Sequence, residues 1–362
     1  MIKLTLNKDL FMADFAHRFP QNPILRPTDV VPSREGLEVE CLLNPGVFRY
    51  KGRTGLLLRV AERPHQDETW VSTPILDPAE PSGIAILRVR KDDPELLYPD
   101  PRLFQYGGKT YLTTLSHLRL AWSDDGVNFQ VEPKPTLLGD GELESYGIED
   151  ARVSEIAGTY YLTYSAVSPS GVGVGMISTR DWQTFERHGM VIPPSNKDCA
   201  LFPSKIGDEY ACLHRPSGVM IGGNFIWVSR SPDLLHWGQH QCIAWTRPGM
   251  WDSVRVGAGA EPILTEHGWL EIYHGANADH RYCLGALLLD RDSPSKVLAR
   301  SIEPIMEPTA PYEQTGFFGN VIFTNGHLRD GDTLTLYYGA SDEVICAATI
   351  PLQAILASLG HG

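Results

Sequence analysis

The residues of this chain whose types could do chemistry are the adjacent carboxylates Glu149 and Asp150, the cations Lys197, Arg215 and Arg255, and the polar side chains of Asn44, Arg59, Asp198, His214, Tyr273, His274 and Asp342. Two carboxylates flanking an acetal are the basic equipment of glycoside cleavage. One must donate a proton to the departing oxygen, and burial beside a second carboxylate such as Glu149 raises the proton affinity that this requires. The three cations lie in polar segments punctuated by Gly and Pro, and they exceed what a simple glycosidase needs. Arg forks and Lys point charges match the oxygens of an anionic co-substrate, for which inorganic phosphate is a candidate. The plainer reading pairs each cation with a local carboxylate, Lys197 with Asp198 for instance. No cofactor is called for: there is no G-x-x-x-x-G-K-S/T loop, and the histidines lack zinc-ligand spacing, so no metal is expected.

These residues recur at related places in a repeat. An extended segment, a Gly-containing turn and a second segment rich in Tyr, Leu and Thr begin at Asn44, Asp100, Asp150, Leu201, Ala260 and Gly319, and each copy reads as a β-hairpin. A second pattern follows three of them, in LAWSDDGVNF from Leu120, MISTRDWQTF from Met176 and IWVSRSPDLLHW from Ile226. The unit is therefore about four strands repeating every 50–60 residues, which is how propeller blades read. The expectation is an all-β chain forming a single β-propeller domain over residues 1–362, with five or six blades and short terminal helices at Phe11–Arg18 and Leu352–Leu359. Aligning the copies puts Asn44, Asp100, Asp150, Glu261 and Asn320 at the start of successive inner strands. Arg59, Glu62, His117, His214, Arg215, Tyr273, His274 and Asp342 then fall at the ends of the following strands, so that the set converges on one mouth of a central channel. Trp182, Trp237 and Phe129 share one repeat position and are assigned to packing.

Composition narrows the partners. Lys+Arg 31 against Asp+Glu 44 gives a net charge of -13 with no basic run, which argues against nucleic acid. No apolar stretch approaches the roughly 20 residues of a membrane span, and the N-terminus has no signal-peptide core, so a soluble, cytoplasmic protein is expected. The six cysteines form no C-x-x-C pair and read as reduced, mostly buried thiols.

The segments GIEDARV from Gly147, NKDCALFPSKIGDEYACLHRP from Asn196, WDSVRVGAGAEPI from Trp251, GWLEIYHG from Gly268, RYCLGALLLD from Arg281 and LYYGASD from Leu336 resemble glycoside hydrolase family 130. That family contains β-mannoside phosphorylases and a smaller group of β-mannosidases. The resemblance implies a five-bladed propeller, so one of the six hairpin copies is assigned to a blade shared at chain closure. It implies that Asp150 is the catalytic acid, protonating the glycosidic oxygen through a mannose hydroxyl while phosphate attacks the anomeric carbon from the other face. The product would be α-mannose 1-phosphate, formed reversibly with inversion. Lys197, Arg215 and Arg255 resemble the family's phosphate-binding positions, with Tyr282 as a hydroxyl donor and His214 as their neighbour. Asn44, Arg59, Glu149 and Asp342 resemble its sugar-binding positions, and Asp198, Tyr273 and His274 are grouped with them.

Lys197-Asp198 stands where many phosphorylases have Arg-Asn, and Ala151 and Glu261 stand where Pro is common. Glu261 opposite Asp150 would supply the base of an inverting β-1,2-mannosidase; the retained cations favour phosphorolysis. The opening RFPQNPILRPTDVVPSREGLEVE resembles the branch acting on β-1,2-linked mannosides. A mannosyltransferase using the same phosphate pocket and a non-catalytic binding propeller stay open beside these. The partners implied are a β-mannoside oligosaccharide and phosphate, with no nucleic acid and no membrane, and a homo-oligomer is compatible with the sequence.

Overall fold

Period-two patterning and turn chemistry turn the repeated segments into strands. The computed structural model describes residues 14–100, 102–218 and 222–361, and over these the chain is all-β, with short α-helices at Pro311–Gln314 and Leu352–Ser358. Five antiparallel sheets carry the architecture. The first joins Leu37–Tyr50, Arg53–Pro64, Leu115–Ser123 and Gln130–Val131, and the second joins Ile148–Ile156, Thr159–Ser168, Gly171–Thr179 and Glu186–Ile192. The third joins Asn196–Leu201, Tyr210–Pro216, Ile226–Ser231 and Gly238–Ala244. In the fourth, Arg255–Ala258 and the short Ile263–Thr265 both pair with Gly268–Ala276, followed by Tyr282–Leu289 and Val297–Arg300. The fifth consists of Ile322–Asp330, Thr333–Ala340, Val344–Pro351 and the N-terminal His17–Arg18.

Both faces of each sheet are apolar, and a buried layer separates every successive pair. Phe48 and Leu57 meet Leu162 and Trp182 between the first two sheets, and Met176 and Ile192 meet Leu201 and Cys212 between the next two. Leu213 and Val228 meet Leu287 and Leu289, and Leu270 and Leu288 meet Leu336 and Ile350. Leu42 and Leu58 of the first sheet then meet Tyr337 and Ile345 of the fifth, which brings the last sheet round to the first. The opening strands gather on one another: Leu37–Tyr50 packs on Ile148–Ile156 and Ile322–Asp330, Ile148–Ile156 on Asn196–Leu201, and Asn196–Leu201 on Arg255–Ala258.

The second sequence pattern is a turn held by its aspartate. Asp125, Asp181 and Asp233 each accept backbone N–H groups two and three residues ahead, at 2.8–2.9 Å. Asp290 of the fourth sheet does the same toward Asp292 and Ser293, a copy hidden from the sequence because no aromatic residue follows it. Trp182 behaves as a packing residue: it is buried and stacked on Phe48 with ring centroids 3.5 Å apart. Removing such a ring from a core costs about 3–5 kcal/mol. Phe129 lies edge-on to Tyr337, and Trp237 packs against the apolar layer between the second and third sheets.

Two expectations need correction. The hairpin copy at Asp100 forms, but in a separate three-stranded sheet, Leu97–Asp100, Leu103–Tyr106 and Lys109–Leu112, inserted between the second and third strands of the first sheet. Its turn chemistry is that of the other copies, and turn chemistry carries no information on which sheet a hairpin joins. Of the expected N-terminal helix Phe11–Arg18, residues 11–13 lie outside the described residues, and His17–Arg18 are a strand paired with Thr349 and Ala348. The open edge of Val344–Pro351 offers backbone partners that a helix would leave unused. The fourth strand of the fifth sheet thus comes from the N-terminal part of the chain. All six cysteines are free, and all but Cys242 are buried. Among the described residues no helix is long and apolar enough to cross a membrane.

Candidate active site

Three opening strands carry the same irregularity. Strand pairing gains one extra residue between Leu43 and Gly46, between Glu149 and Arg152, and between Lys197 and Ala200. The residue that begins each bulge is Asn44, Asp150 or Asp198, with φ of 32°, 53° and 53°. Asn and Asp tolerate this left-handed region better than other side-chain-bearing residues, and a bulge re-aims the side chain out of the sheet's alternation. One local device, used in three successive sheets, therefore delivers three polar side chains to the place where the opening strands meet.

Around Asp150 the contacts are close. Asn44 Nδ2 and Arg59 Nη1 both donate to Asp150 Oδ1 at 3.1 Å, and Arg59 Nη2 donates to Glu149 Oε1 at 2.9 Å. Arg59 Nε is held by Ser116 Oγ at 3.1 Å. Burial alone would push the Asp150 carboxyl up, but Arg59, Lys197 and Arg152 outweigh it and hold the group below the ordinary carboxylate range. The sequence-based expectation of a raised Asp150 is thus reversed, because the facing cations contribute more than desolvation and the neighbouring carboxylate. The raised carboxyl is Asp342, in the turn after Thr333–Ala340, which burial pushes up to about 6 with Asp150 adding to the effect and Arg59 opposing it.

A second cluster lies on the third and fourth sheets. Arg215 Nη1 stands 3.0 Å from Asp198 Oδ2 and donates to His274 Nε2 at 3.2 Å, which puts the imidazole proton on Nδ1. Burial lowers His274 to about 4, so the ring is neutral, and Arg215 and Arg152 hold Asp198 well below its ordinary value against the effect of burial. Gly257 lies over this group: a Cβ there would stand 2.3 Å from Asp198 Oδ2 and 2.5 Å from the His274 ring. Arg255 Nη1 donates to Tyr282 Oη, and both influence the guanidinium of Arg215. Lys197 is paired across the strand with Arg215 and bears on Asp150, so it stands between the two clusters.

The link between the clusters is Arg152, which the sequence reading left out. It is buried, and its guanidinium donates to the Asp150 carbonyl at 3.1 Å, to Asp198 Oδ1 at 3.2 Å, to the Gly259 carbonyl at 2.6 Å and to the Ala258 carbonyl at 2.9 Å. The signal is the Arg of the GIEDARV segment, two residues from Asp150 on the same strand. Asp198 is likewise placed as a support between two arginines, where the local reading of the sequence paired it with Lys197.

Such a site has an anionic half that can hold sugar hydroxyls and exchange a proton, and a cationic half that can hold an oxyanion. The profile of glycoside hydrolase family 130, described as beta-1,4-mannooligosaccharide phosphorylase, matches residues 101–360. The chain belongs to this family. It is 43% identical over 348 residues to the beta-1,2-mannobiose phosphorylase of Listeria innocua, covering 95% of this chain and 98% of that one. The solved structure of the Listeria enzyme with beta-1,2-mannobiose superposes with a TM-score of 0.89 over 95% of this chain and 99% of that one. A 1,2-beta-oligomannan phosphorylase of Thermoanaerobacter sp. is 39% identical over 246 residues, 67% of this chain and 80% of that one.

Not every expected site residue joins this cluster. His214 follows the alternation of its strand and turns away from Arg215: its Nδ1 donates to Asn196 Oδ1 at 3.1 Å, and its Nε2 meets His240 at 3.0 Å. Tyr273 turns away from His274 for the same reason, and its buried hydroxyl donates to Asp252 at 2.9 Å and accepts from Arg300 at 3.0 Å. Glu62 and His117 form a buried cluster with Arg119 and Ser33. Glu261 follows the end of Arg255–Ala258, interacts with Ser154 and Glu155, and lines a cavity of about 330 Å³ with His327, Val47 and Leu328. Ser154 is four residues along its strand from Asp150, roughly 13 Å at the rise of a β-strand. The hairpin alignment puts Glu261 level with Asp150; in the structure it lies past the end of Arg255–Ala258, the opening strand of the fourth sheet.

Proposed function

We propose that the protein is an inverting glycoside phosphorylase that cleaves β-1,2-linked manno-oligosaccharides with inorganic phosphate and releases α-mannose 1-phosphate, reversibly. The observation that carries this reading is the cationic half of the site: Arg215, Arg255 and Lys197 with the Tyr282 hydroxyl, beside a carboxylate held by Asn44 and Arg59. The 43% identity to the Listeria beta-1,2-mannobiose phosphorylase, across nearly the whole of both chains, supports the linkage. The five sheets, each packed on the next and the last on the first, support a five-bladed propeller whose mouth holds the site. Six free cysteines suit the reducing conditions of the cytoplasm.

In the free protein Asp150 is ionised, because Arg59, Lys197 and Arg152 outweigh its burial. A phosphate dianion engaging Lys197, Arg215 and Arg255 cancels part of that cationic field and raises the proton affinity of Asp150. Asp150 takes up a proton from solvent as phosphate binds, and it passes that proton to a mannose hydroxyl, which gives its own to the glycosidic oxygen as the bond from that oxygen to C1 breaks. A phosphate oxygen forms the new bond to C1 from the opposite face. The Arg152–Asp198 pair keeps both halves in register through this exchange. The test is the product made from β-1,2-mannobiose with and without phosphate. Mannose 1-phosphate formed only with phosphate is expected; free mannose formed at the same rate in both cases would establish a hydrolase and overturn the reading.

A further inference from the structure

Between Thr315 and Val321 the chain reads G-F-F-G-N, and its two phenylalanines are exposed, Phe317 by 57% and Phe318 by 45%. Adjacent aromatic rings left in solvent are uncommon on a soluble surface unless something covers them. Their backbone is tied to the candidate active site at several points. Phe318 N–H donates to the carbonyl of Ser341 at 2.8 Å, and Ser341 N–H to that of Val321 at 2.9 Å, so the loop rests on the residue next to Asp342. On its other side, Tyr282 N–H donates to the Asn320 carbonyl at 3.0 Å. The flanking glycines allow a close seat: a Cβ at Gly316 would stand 2.6 Å from Ser341 Cβ, and one at Gly319 2.5 Å from the Gln314 carbonyl oxygen. His280, from the loop before Tyr282, meets the Phe318 ring edge-on at 6.0 Å.

The rings thus stand on a fixed loop that bridges Asp342, on the sugar side of the site, and Tyr282, on the anion side. The part of a saccharide lying beyond the bond to be broken must leave through the rim of this site, and pyranose rings present apolar C–H faces that pack on aromatic rings, as ligand sites commonly use them. We propose that Phe317 and Phe318 form the platform that holds the leaving, or in reverse the accepting, saccharide. This assignment rests on the phosphorylase reading above. The loop is ordered by its own hydrogen bonds, so the rings meet the sugar without first having to be fixed in place.

The test is the double variant Phe317→Ala/Phe318→Ala, assayed in the synthetic direction with α-mannose 1-phosphate as donor and mannose or β-1,2-mannobiose as acceptor, and in phosphorolysis with varied phosphate. Both side chains are exposed, so folding is expected to be unaffected, checked by an unchanged melting temperature. The acceptor KM should rise roughly tenfold while the KM values for mannose 1-phosphate and phosphate stay within about twofold. An unchanged acceptor KM, or an equal rise for donor and acceptor, would overturn the platform. A variant that changes from oligomer to monomer in sedimentation with its kinetics intact would assign the rings to an interface between copies instead. Wild-type protein without phosphate-dependent turnover would overturn the functional reading, and this assignment with it.

Discussion

Replacing Asp150 with Asn isolates one proton. The amide keeps an oxygen where Asp150 Oδ1 now accepts from Asn44 and Arg59 at 3.1 Å each, so the sugar side of the site keeps its shape. Lost are the proton and one negative charge facing Arg59, Lys197 and Arg152. Arg59 retains Glu149 at 2.9 Å and Arg152 retains Asp198 at 3.2 Å, so neither cation is stranded and the cost in stability should be about 1–3 kcal/mol. Asp150 is held below its ordinary range, so its contribution is present above the ordinary carboxylate pKa and disappears as pH falls through the depressed value. The gap in melting temperature between wild type and variant should therefore narrow in acid. Loss of a positioned acid lowers turnover by about 10²–10⁴-fold. Initial rates of mannose 1-phosphate release from β-1,2-mannobiose measure this, with phosphate-driven release of 4-nitrophenol from its β-mannoside as the control. A nitrophenolate leaves without a proton, so the aryl substrate should suffer much less. Retention of more than about a tenth of wild-type activity on mannobiose, or an equal loss on both substrates, would refute Asp150 as the acid.

Arg215→Ala should raise the KM for phosphate roughly 10- to 100-fold and that for the mannoside far less, since the anion alone loses charge-assisted bonds; parallel rises in steady-state assays would contradict the anion site. Asp342 is raised to about 6 from an ordinary 3.8, so the stability it contributes is complete below the ordinary value and lost as pH rises through 6. Asp342→Asn should accordingly stabilise the fold by on the order of 1–3 kcal/mol at pH 8, less at pH 5 and not at all near pH 4, which thermal melts across that range would check, while turnover falls. Glu261→Gln should leave kcat and both KM values within about twofold, because the residue lies roughly four strand residues from the acid; a crippled variant would restore Glu261 as a base.

Much of the candidate site was legible because its chemistry is carried by residue type and local motif. Glu149-Asp150 and Lys197-Asp198 are neighbours in sequence, and the Asn or Asp that opens each bulge is the residue that a left-handed position favours, so those positions could be named before any sheet was built. The all-β class followed from hairpin turns and period-two patterning for the same reason: both are local. The five sheets were harder to count, since the Asp100 hairpin has the grammar of a blade yet belongs to an insertion, while His17–Arg18 has no grammar at all and completes the fifth sheet by pairing some 330 residues away in the chain.

Residue types settle which side chains can donate a proton, hold a sugar or hold an anion, because those capacities belong to the residues. The tertiary structure alone decided which of them meet. Alternation along a strand sent His214 and Tyr273 to the opposite face from Arg215 and His274, and Glu261, past the end of Arg255–Ala258, lines a different cavity. The proton affinity of Asp150 was decided there too. It depends on Arg59, Lys197 and Arg152 arriving from different strands, and the field of those cations outweighs the desolvation that burial and residue type suggest on their own.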